Sequence, residues 1–116
     1  MAVELRPSQA LKLLQDFTLT LVTDGEPDLS ARQLSILLTI YLQPPPHTVR
    51  GLASGLKVTK PVITRALDTM GKLGPVARRR DSADRRNVVI QRTPEGALAV
   101  ERLGDVLIAK ARELPR

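Results

Sequence analysis

Apolar residues recur at three- and four-residue spacing in five segments of this chain, and this periodicity restricts the fold to a mainly helical one. Only two runs, 76–80 and 88–91, are strand-like, and they flank a polar loop at 81–87. The 116 residues fit one compact domain, so we expect 1–116 to form a single domain. The pattern predicts a mainly α protein with a small β-hairpin.

Start and stop signals place the helices. Pro7 opens a helix over 7–23, and Ser30 with Gln33 forms a capping box for a helix over 31–43. Three consecutive prolines end that second helix. A last helix, over 94–114, starts behind Thr93. The inward face of the second helix is expected to hold Leu34, Leu37, Leu38 and Tyr41.

Two short amphipathic segments lie between these long helices. Thr48 caps the first segment, and Thr59 caps the second, whose apolar face holds Ile63, Ala66, Leu67 and Met70. At 100° per residue, polar and basic residues occupy the opposite face of the second segment. They are Pro61, Arg65, Asp68 and Lys72, with Thr64 on the flank. Two short helices joined by a turn predict a helix-turn-helix over the first part of 48–93.

Positive charge is confined to the middle of the chain. Residues 1–47 carry 3 basic and 5 acidic side chains, residues 48–93 carry 11 and 3, and residues 94–116 carry 4 and 4. A net charge of +8 in one block indicates a polyanion partner. Because Phe17 and Tyr41 are the only aromatic residues, double-stranded DNA is a better partner than single strands, which need stacking platforms. A generally soluble basic surface is the alternative.

Composition excludes several classes of function. With no cysteine there is no disulfide, thiolate metal site, cysteine nucleophile or thiol redox sensor. The single histidine, His47, lies in a proline-rich loop without an acidic pair, so we expect a solvated histidine and no enzyme. No cofactor and no metal are expected. No apolar run approaches the roughly 20 residues of a membrane span, and Glu4, Lys12 and Asp16 interrupt any signal peptide, which favours a cytoplasmic protein.

Four stretches in order resemble the MarR family of bacterial transcription regulators. They are LSARQLSILLTI (29–40), TVRGLASGLKV (48–58), TKPVITRALDTM (59–70) and RRRDSADRRNVVIQRTPEG (78–96). The last stretch is the most specific, because it combines Asp-x-Arg at Asp84 to Arg86 with a strand and a Thr-Pro-Glu-Gly helix start at Thr93. The resemblance covers about residues 7–110. It implies a winged helix-turn-helix that binds DNA, with dimerisation helices at both ends, in a nucleoid-associated cytoplasmic protein.

The resemblance also implies which residues meet the DNA. The recognition helix would place its outward residues in the major groove; they are Thr59, Lys60, Pro61, Thr64, Arg65, Asp68 and Lys72. The hairpin would be the wing, and its DNA-binding residues would be Arg78, Arg80, Ser82, Asp84, Arg85 and Arg86. Arg86 suits a minor groove, with Asp84 holding it in a bidentate ion pair. Arg50 is expected to contact a phosphate.

The two end helices carry more apolar surface than one small core absorbs. We therefore expect a homodimer through these helices, over 7–23 and 94–114, with Leu13, Phe17, Leu21, Leu103, Leu107 and Leu114 at its interface. Family members usually complete this interface with a further C-terminal helix, and the sequence ends at Arg116 before one, so the expected interface is trimmed or built differently.

Two matters stay open. Family members often sense small phenolic or lipophilic ligands, but the sequence carries no ligand signature, so any small-molecule effector is unidentified. The other reading of the whole chain is a winged-helix protein-interaction module, or an antirepressor that captures another regulator. The apolar end helices and the early C-terminus are compatible with this alternative function.

Overall fold

The computed structural model describes residues 3–24, 28–71, 76–80, 83–84 and 86–115. In chain order these form α1 (Pro7–Thr23), α2 (Ala31–Leu42), β1 (His47–Thr48), α3 (Val49–Leu56), α4 (Lys60–Gly71), β2 (Val76–Arg80), β3 (Val88–Arg92) and α5 (Pro94–Arg112). The prediction of a mainly helical protein with a small hairpin is confirmed. None of the described helices is long and apolar enough to cross a bilayer.

The sheet holds one strand more than the sequence predicts. Its order is β1-β3-β2, and both pairings are antiparallel. The extra strand, β1, is two residues long, with His47 opposite Ile90 and Thr48 opposite Val89. A two-residue strand has no detectable alternation, which is why sequence reasoning assigned His47 to a loop.

The chain divides into two compact units. One contains Met1–Asp28 and Glu101–Arg116, the other contains Leu29–Val100, and the boundary falls within α5. The assignment of 1–116 to one domain stays a prediction. The second unit holds the buried core, to which α2, α3, α4 and the sheet all contribute. Its fully buried large side chains are Ile36, Leu37, Ile40, Ile63, Leu67 and Met70.

Helix caps fix where the helices of the second unit begin. Ser30 Oγ accepts from the Gln33 amide at 3.1 Å, and Gln33 Oε1 accepts from the Ser30 amide at 2.8 Å, which confirms the predicted capping box. Thr48 Oγ1 accepts from the Gly51 amide at 2.9 Å, and Thr93 Oγ1 accepts from the Gly96 amide at 3.0 Å. Each bond satisfies a backbone donor that has no partner inside its helix.

The buried face of α2 differs from the predicted one. Ile36, Leu37 and Ile40 are buried, whereas Leu34, Leu38 and Tyr41 are only half-buried. Seven of the twelve residues of α2 are Leu, Ile or Tyr, so several faces are apolar and the periodicity is compatible with more than one inward direction.

The described residues of the first unit form no comparable core. Within α1 no residue is buried, and Leu11, Leu14, Leu19 and Val22 are between 58% and 67% exposed. The Gln9 side-chain amide donates to the Pro115 carbonyl at 3.0 Å, which links α1 to the chain after α5.

Candidate nucleic-acid interface

The turn between α3 and α4 is a tight helix stop with a lysine in an unusual conformation. Lys57 has φ 58° and ψ 43°, the left-handed region that usually takes glycine. The Val58 amide donates to the Ala53 carbonyl at 3.0 Å, and the Lys57 amide donates to the Ser54 carbonyl at 3.3 Å. This is the pair of bonds of a Schellman motif, so the turn forms without the glycine that this position usually carries.

Helix α4 starts immediately after this turn and has two chemically distinct faces. The Thr59 carbonyl accepts from the amides of Val62 and Ile63, which opens the helix. Ile63, Ala66, Leu67 and Met70 are buried at 0 to 7% exposure, which confirms the predicted core face. This packing holds α4 against α2 and α3, so its other face is directed outward.

That outward face carries most of the predicted recognition residues. Thr59, Lys60, Pro61, Thr64, Arg65 and Asp68 are all exposed. Lys72 lies outside the described residues. Arg50, in the first turn of α3, is also exposed. The face therefore presents hydroxyl, ammonium and guanidinium groups over the two N-terminal turns of α4.

Strands β2 and β3 form the predicted wing. Val76 of β2 is buried, and since alternate residues share a face, Arg78 and Arg80 lie on its side of the sheet while Arg79 lies on the other. Arg78, Arg79 and Arg80 are exposed. The wing is thus a short basic ribbon whose apolar end is anchored in the core.

Asp84 and Arg86 come together at the tip of the wing, as the sequence predicts. Asp84 Oδ1 accepts from the Arg86 backbone amide at 3.0 Å and from Arg86 Nε at 3.2 Å. The predicted bidentate ion pair is wrong in this detail, because one carboxylate oxygen makes both bonds. The Arg86 side chain is 88% exposed, so its guanidinium still faces outward. Ser82 and Arg85, also predicted for the wing, lie outside the described residues.

An ion pair joins the wing to α4. Arg78 Nη1 lies 2.7 Å from Asp68 Oδ1, and the two side chains are 36% and 53% exposed. The sequence predicted both residues as DNA-binding but not their contact with each other. They belong to different elements, and only the packing of β2 beside α4 brings them together.

The sequence also did not predict the contacts that hold the other end of the wing against α2. Arg92, opposite Val76 in register, donates from Nε to the Ile40 carbonyl at 2.8 Å and from Nη2 to the Gln43 carbonyl at 2.9 Å. Its guanidinium carbon lies 5.8 Å from the centre of the Tyr41 ring. Arg92 thereby satisfies carbonyls at the C-terminus of α2 and pins β3 to that helix.

His47 does not lie in a solvated loop, so that expectation is wrong. It is 9% exposed, and its Nε2 lies 3.1 Å from the Gln43 carbonyl that Arg92 also binds. The role of His47 here is to join β1 to the end of α2. A group of three His, Cys, Asp or Glu side chains able to hold a metal does not occur among the described residues.

A groove of about 580 Å³ lies between α2, β1 and α3. Its lining includes Ser35 and Thr39 of α2 and the two glycines of α3, Gly51 and Gly55. The described residues that line it include no lysine, arginine, aspartate or glutamate. The groove is therefore not part of the basic surface of α4 and the wing.

A helix-turn-helix followed by a basic antiparallel hairpin defines the winged helix-turn-helix class. The MarR family model matches residues 29–88, just over half of the chain. The chain belongs to the MarR family. Comparison with curated proteins gives no match.

The chain also shares its fold with solved structures. The chain is similar to a mutant of S. aureus MepR at 21% identity, over 95% of this chain and 82% of that one, with a TM-score of 0.76. It is similar to the transcriptional regulator BldR from Sulfolobus solfataricus at 28% identity, over 95% and 84%, with a TM-score of 0.65. It is similar to reduced AbfR bound to DNA at 22% identity, over 88% and 70%, with a TM-score of 0.69.

Proposed function

We propose that this chain is a transcriptional regulator that binds double-stranded DNA in a sequence-specific manner. The observation that carries the proposal is the outward face of α4, with Lys60, Thr64 and Arg65 exposed beside a basic wing. Membership in the MarR family supports it, and AbfR, a protein of the same fold, has been solved bound to DNA.

The two parts of this surface would read DNA in different ways. A helix fits the major groove, where Arg65 can pair with a guanine and Thr64 can contact a thymine methyl group or a phosphate. Thr59, Lys60 and Pro61 would approach the same groove from the first turn of α4. The exposed guanidinium of Arg86 is a fitting group for a minor groove, whose negative potential attracts arginine.

The remaining basic residues would supply affinity rather than sequence information. Arg50 and Arg80 are exposed cations near the two reading elements, and contacts to phosphates position a protein without distinguishing bases. Lys72, Ser82 and Arg85 keep their sequence-based assignment to the same surface.

The proposed regulator works as a homodimer. The exposed leucines of α1 and α5 support this, because a soluble protein rarely leaves such helices uncovered. The interface residues proposed are those assigned from the sequence. Leu107 is 42% exposed, and the other five are half-buried: Leu13, Phe17, Leu21, Leu103 and Leu114. Two copies of α4 related by a two-fold axis would enter successive major grooves of an inverted repeat, with half-sites roughly 10 base pairs apart. Such a regulator acts in the cytoplasm, at the nucleoid.

Selection from a random duplex pool tests the proposal. The wild-type protein is expected to enrich an inverted repeat with half-sites about one helical turn apart. A different result would be that no sequence is enriched and the protein captures another transcription regulator. The chain would then be a protein-interaction module or an antirepressor, and not a DNA-binding regulator.

A further inference from the structure

Asp68 is an acidic residue on the face of α4 that we propose approaches DNA. It lies one turn beyond Thr64 and Arg65, and its side chain is 53% exposed. A carboxylate at this place repels phosphates, and it weakens binding to any duplex unless its charge is compensated. The only ion pair that the described residues give Asp68 is the one with Arg78, at 2.7 Å.

Arg78 differs from its two neighbours on the wing in its position relative to α4. It lies opposite Ile90, which is 4% exposed, on the face of the hairpin that packs toward α4. Arg79 lies on the other face, and Arg80 is two residues closer to the tip. The guanidinium of Arg78 therefore points to the recognition helix, where Asp68 holds it.

Stability alone gives little reason for this pair. Both partners are more than a third exposed, and ion pairs at such positions contribute little to folding because water screens them. The pair does connect the recognition helix to the wing, the two elements that would enter different grooves.

We propose that Asp68 determines DNA specificity by holding Arg78 away from the phosphate backbone. The inference rests on the proposed DNA binding and adds a mechanism of discrimination to it. Non-specific binding comes almost entirely from cations on phosphates, so a sequestered arginine lowers affinity for random DNA. In the specific complex the same ion pair fixes the position of the wing relative to α4. This position favours simultaneous contact of the two elements with the two grooves.

Asp68→Asn is the informative variant, since it keeps the shape of the side chain and releases Arg78. The probes are a random-sequence duplex and the duplex selected from the pool by the wild-type protein. We expect the Kd for the random duplex to fall about three- to tenfold and the slope of log K against log salt to steepen by about 0.9, the value of one added phosphate contact. The Kd for the selected duplex is expected to change less than about twofold, because the lost positioning offsets the gained contact.

Two further variants separate this mechanism from simple removal of a negative charge. Glu95→Gln makes the same change of net charge in the first turn of α5 and is expected to leave both duplex affinities unchanged. In the double variant Asp68→Asn with Arg78→Gln, the gain on the random duplex is expected to disappear. Thermal unfolding of each variant checks that the fold is retained.

Several results would overturn the proposal. They are an unchanged Kd and salt slope for Asp68→Asn on the random duplex, an equal gain on both duplexes, and a gain that persists in the double variant. A wild-type protein that selects no duplex overturns the proposed function, and this inference with it. The other results overturn the role of Asp68 and leave DNA binding intact.

Discussion

Arg65 is the residue on which the proposed sequence recognition depends most. It is exposed on α4, and the fixed fork of a guanidinium matches the two acceptors of a guanine in the major groove. We expect Arg65→Ala to weaken binding to the selected duplex by about 1 to 3 kcal/mol. The difference in affinity between the selected and the random duplex should therefore become smaller. Fluorescence anisotropy titrations on both duplexes measure this difference.

Arg50→Ala is the matched control for Arg65→Ala. It removes the same charge from the exposed start of α3, where a phosphate contact is proposed, so both duplexes should lose affinity equally. Equal losses on the two duplexes for Arg65→Ala as well would reduce Arg65 to a backbone contact.

Lys57 carries conformational strain that a glycine would relieve. A left-handed backbone costs a residue with a Cβ about 1 to 2 kcal/mol, and glycine avoids most of that cost. We expect Lys57→Gly to raise the free energy of unfolding by about 1 kcal/mol and the Tm by about 4 °C. Lys57→Ala, which removes the charge but keeps the Cβ, should leave the Tm nearly unchanged. A lower Tm for Lys57→Gly than for Lys57→Ala would show that the side chain, not the backbone, decides this position.

At this scale, sequence reasoning succeeded where partners are close in the chain. The contact between Asp84 and Arg86 spans two residues, and the caps at Ser30, Thr48 and Thr93 span three. The contacts of Arg78 with Asp68 and of Arg92 with α2 depend on how the wing folds back. No local pattern encodes such contacts, so the sequence could not predict them.

Among the elements, the wing is proposed to contribute to DNA affinity in the way that depends least on base sequence. The Arg86 guanidinium is exposed at the tip, and an arginine in a minor groove responds to shape and potential. We expect Arg86→Ala to weaken binding to selected and random duplexes alike. Asp84→Ala should weaken both less, because it removes only the bonds that orient Arg86. Anisotropy titrations of the two variants measure both effects.

The opposite ranking would contradict this assignment of roles. If Arg86→Ala binds both duplexes as the wild type does while Asp84→Ala lowers the Tm strongly, the pair is a structural feature of the loop. Circular dichroism and thermal unfolding of each variant separate the two cases.

The helices differ in how well the sequence predicts them. The apolar face of α4 matches prediction because most of its other positions are polar, so only one inward direction fits. In α2 nearly every position from Leu34 onward is apolar, and the core selects Ile36, Leu37 and Ile40 by packing. Strand β1 was missed because its two residues become a strand only through pairing with β3.

For the whole molecule, the apolar surface of the end helices makes self-association the main expectation. Leu107 of α5 is 42% exposed and belongs to the proposed interface. A glutamate there would place a charge in a desolvated contact, so we expect Leu107→Glu to convert a dimer into a monomer with its helical content retained. Light scattering measures the mass, which should be twice 12.7 kDa for the wild type and 12.7 kDa for the variant.

Leu42→Glu provides the control for the effect of a new surface charge. Leu42 is an exposed leucine of α2 outside the proposed interface, so its variant should remain dimeric. A wild-type particle of 12.7 kDa at micromolar concentration would count against the dimer and against the expected inverted repeat.

Binding of duplex DNA by the wild-type protein at two salt concentrations tests the central claim most directly. With cations concentrated in 48–93, anisotropy titrations at about 50 and 200 mM salt should show affinity for a random duplex that falls steeply as salt rises. At both concentrations the selected duplex should bind more tightly than the random one. Absence of any duplex binding at the lower salt concentration would contradict the assignment of α4 and the wing to DNA.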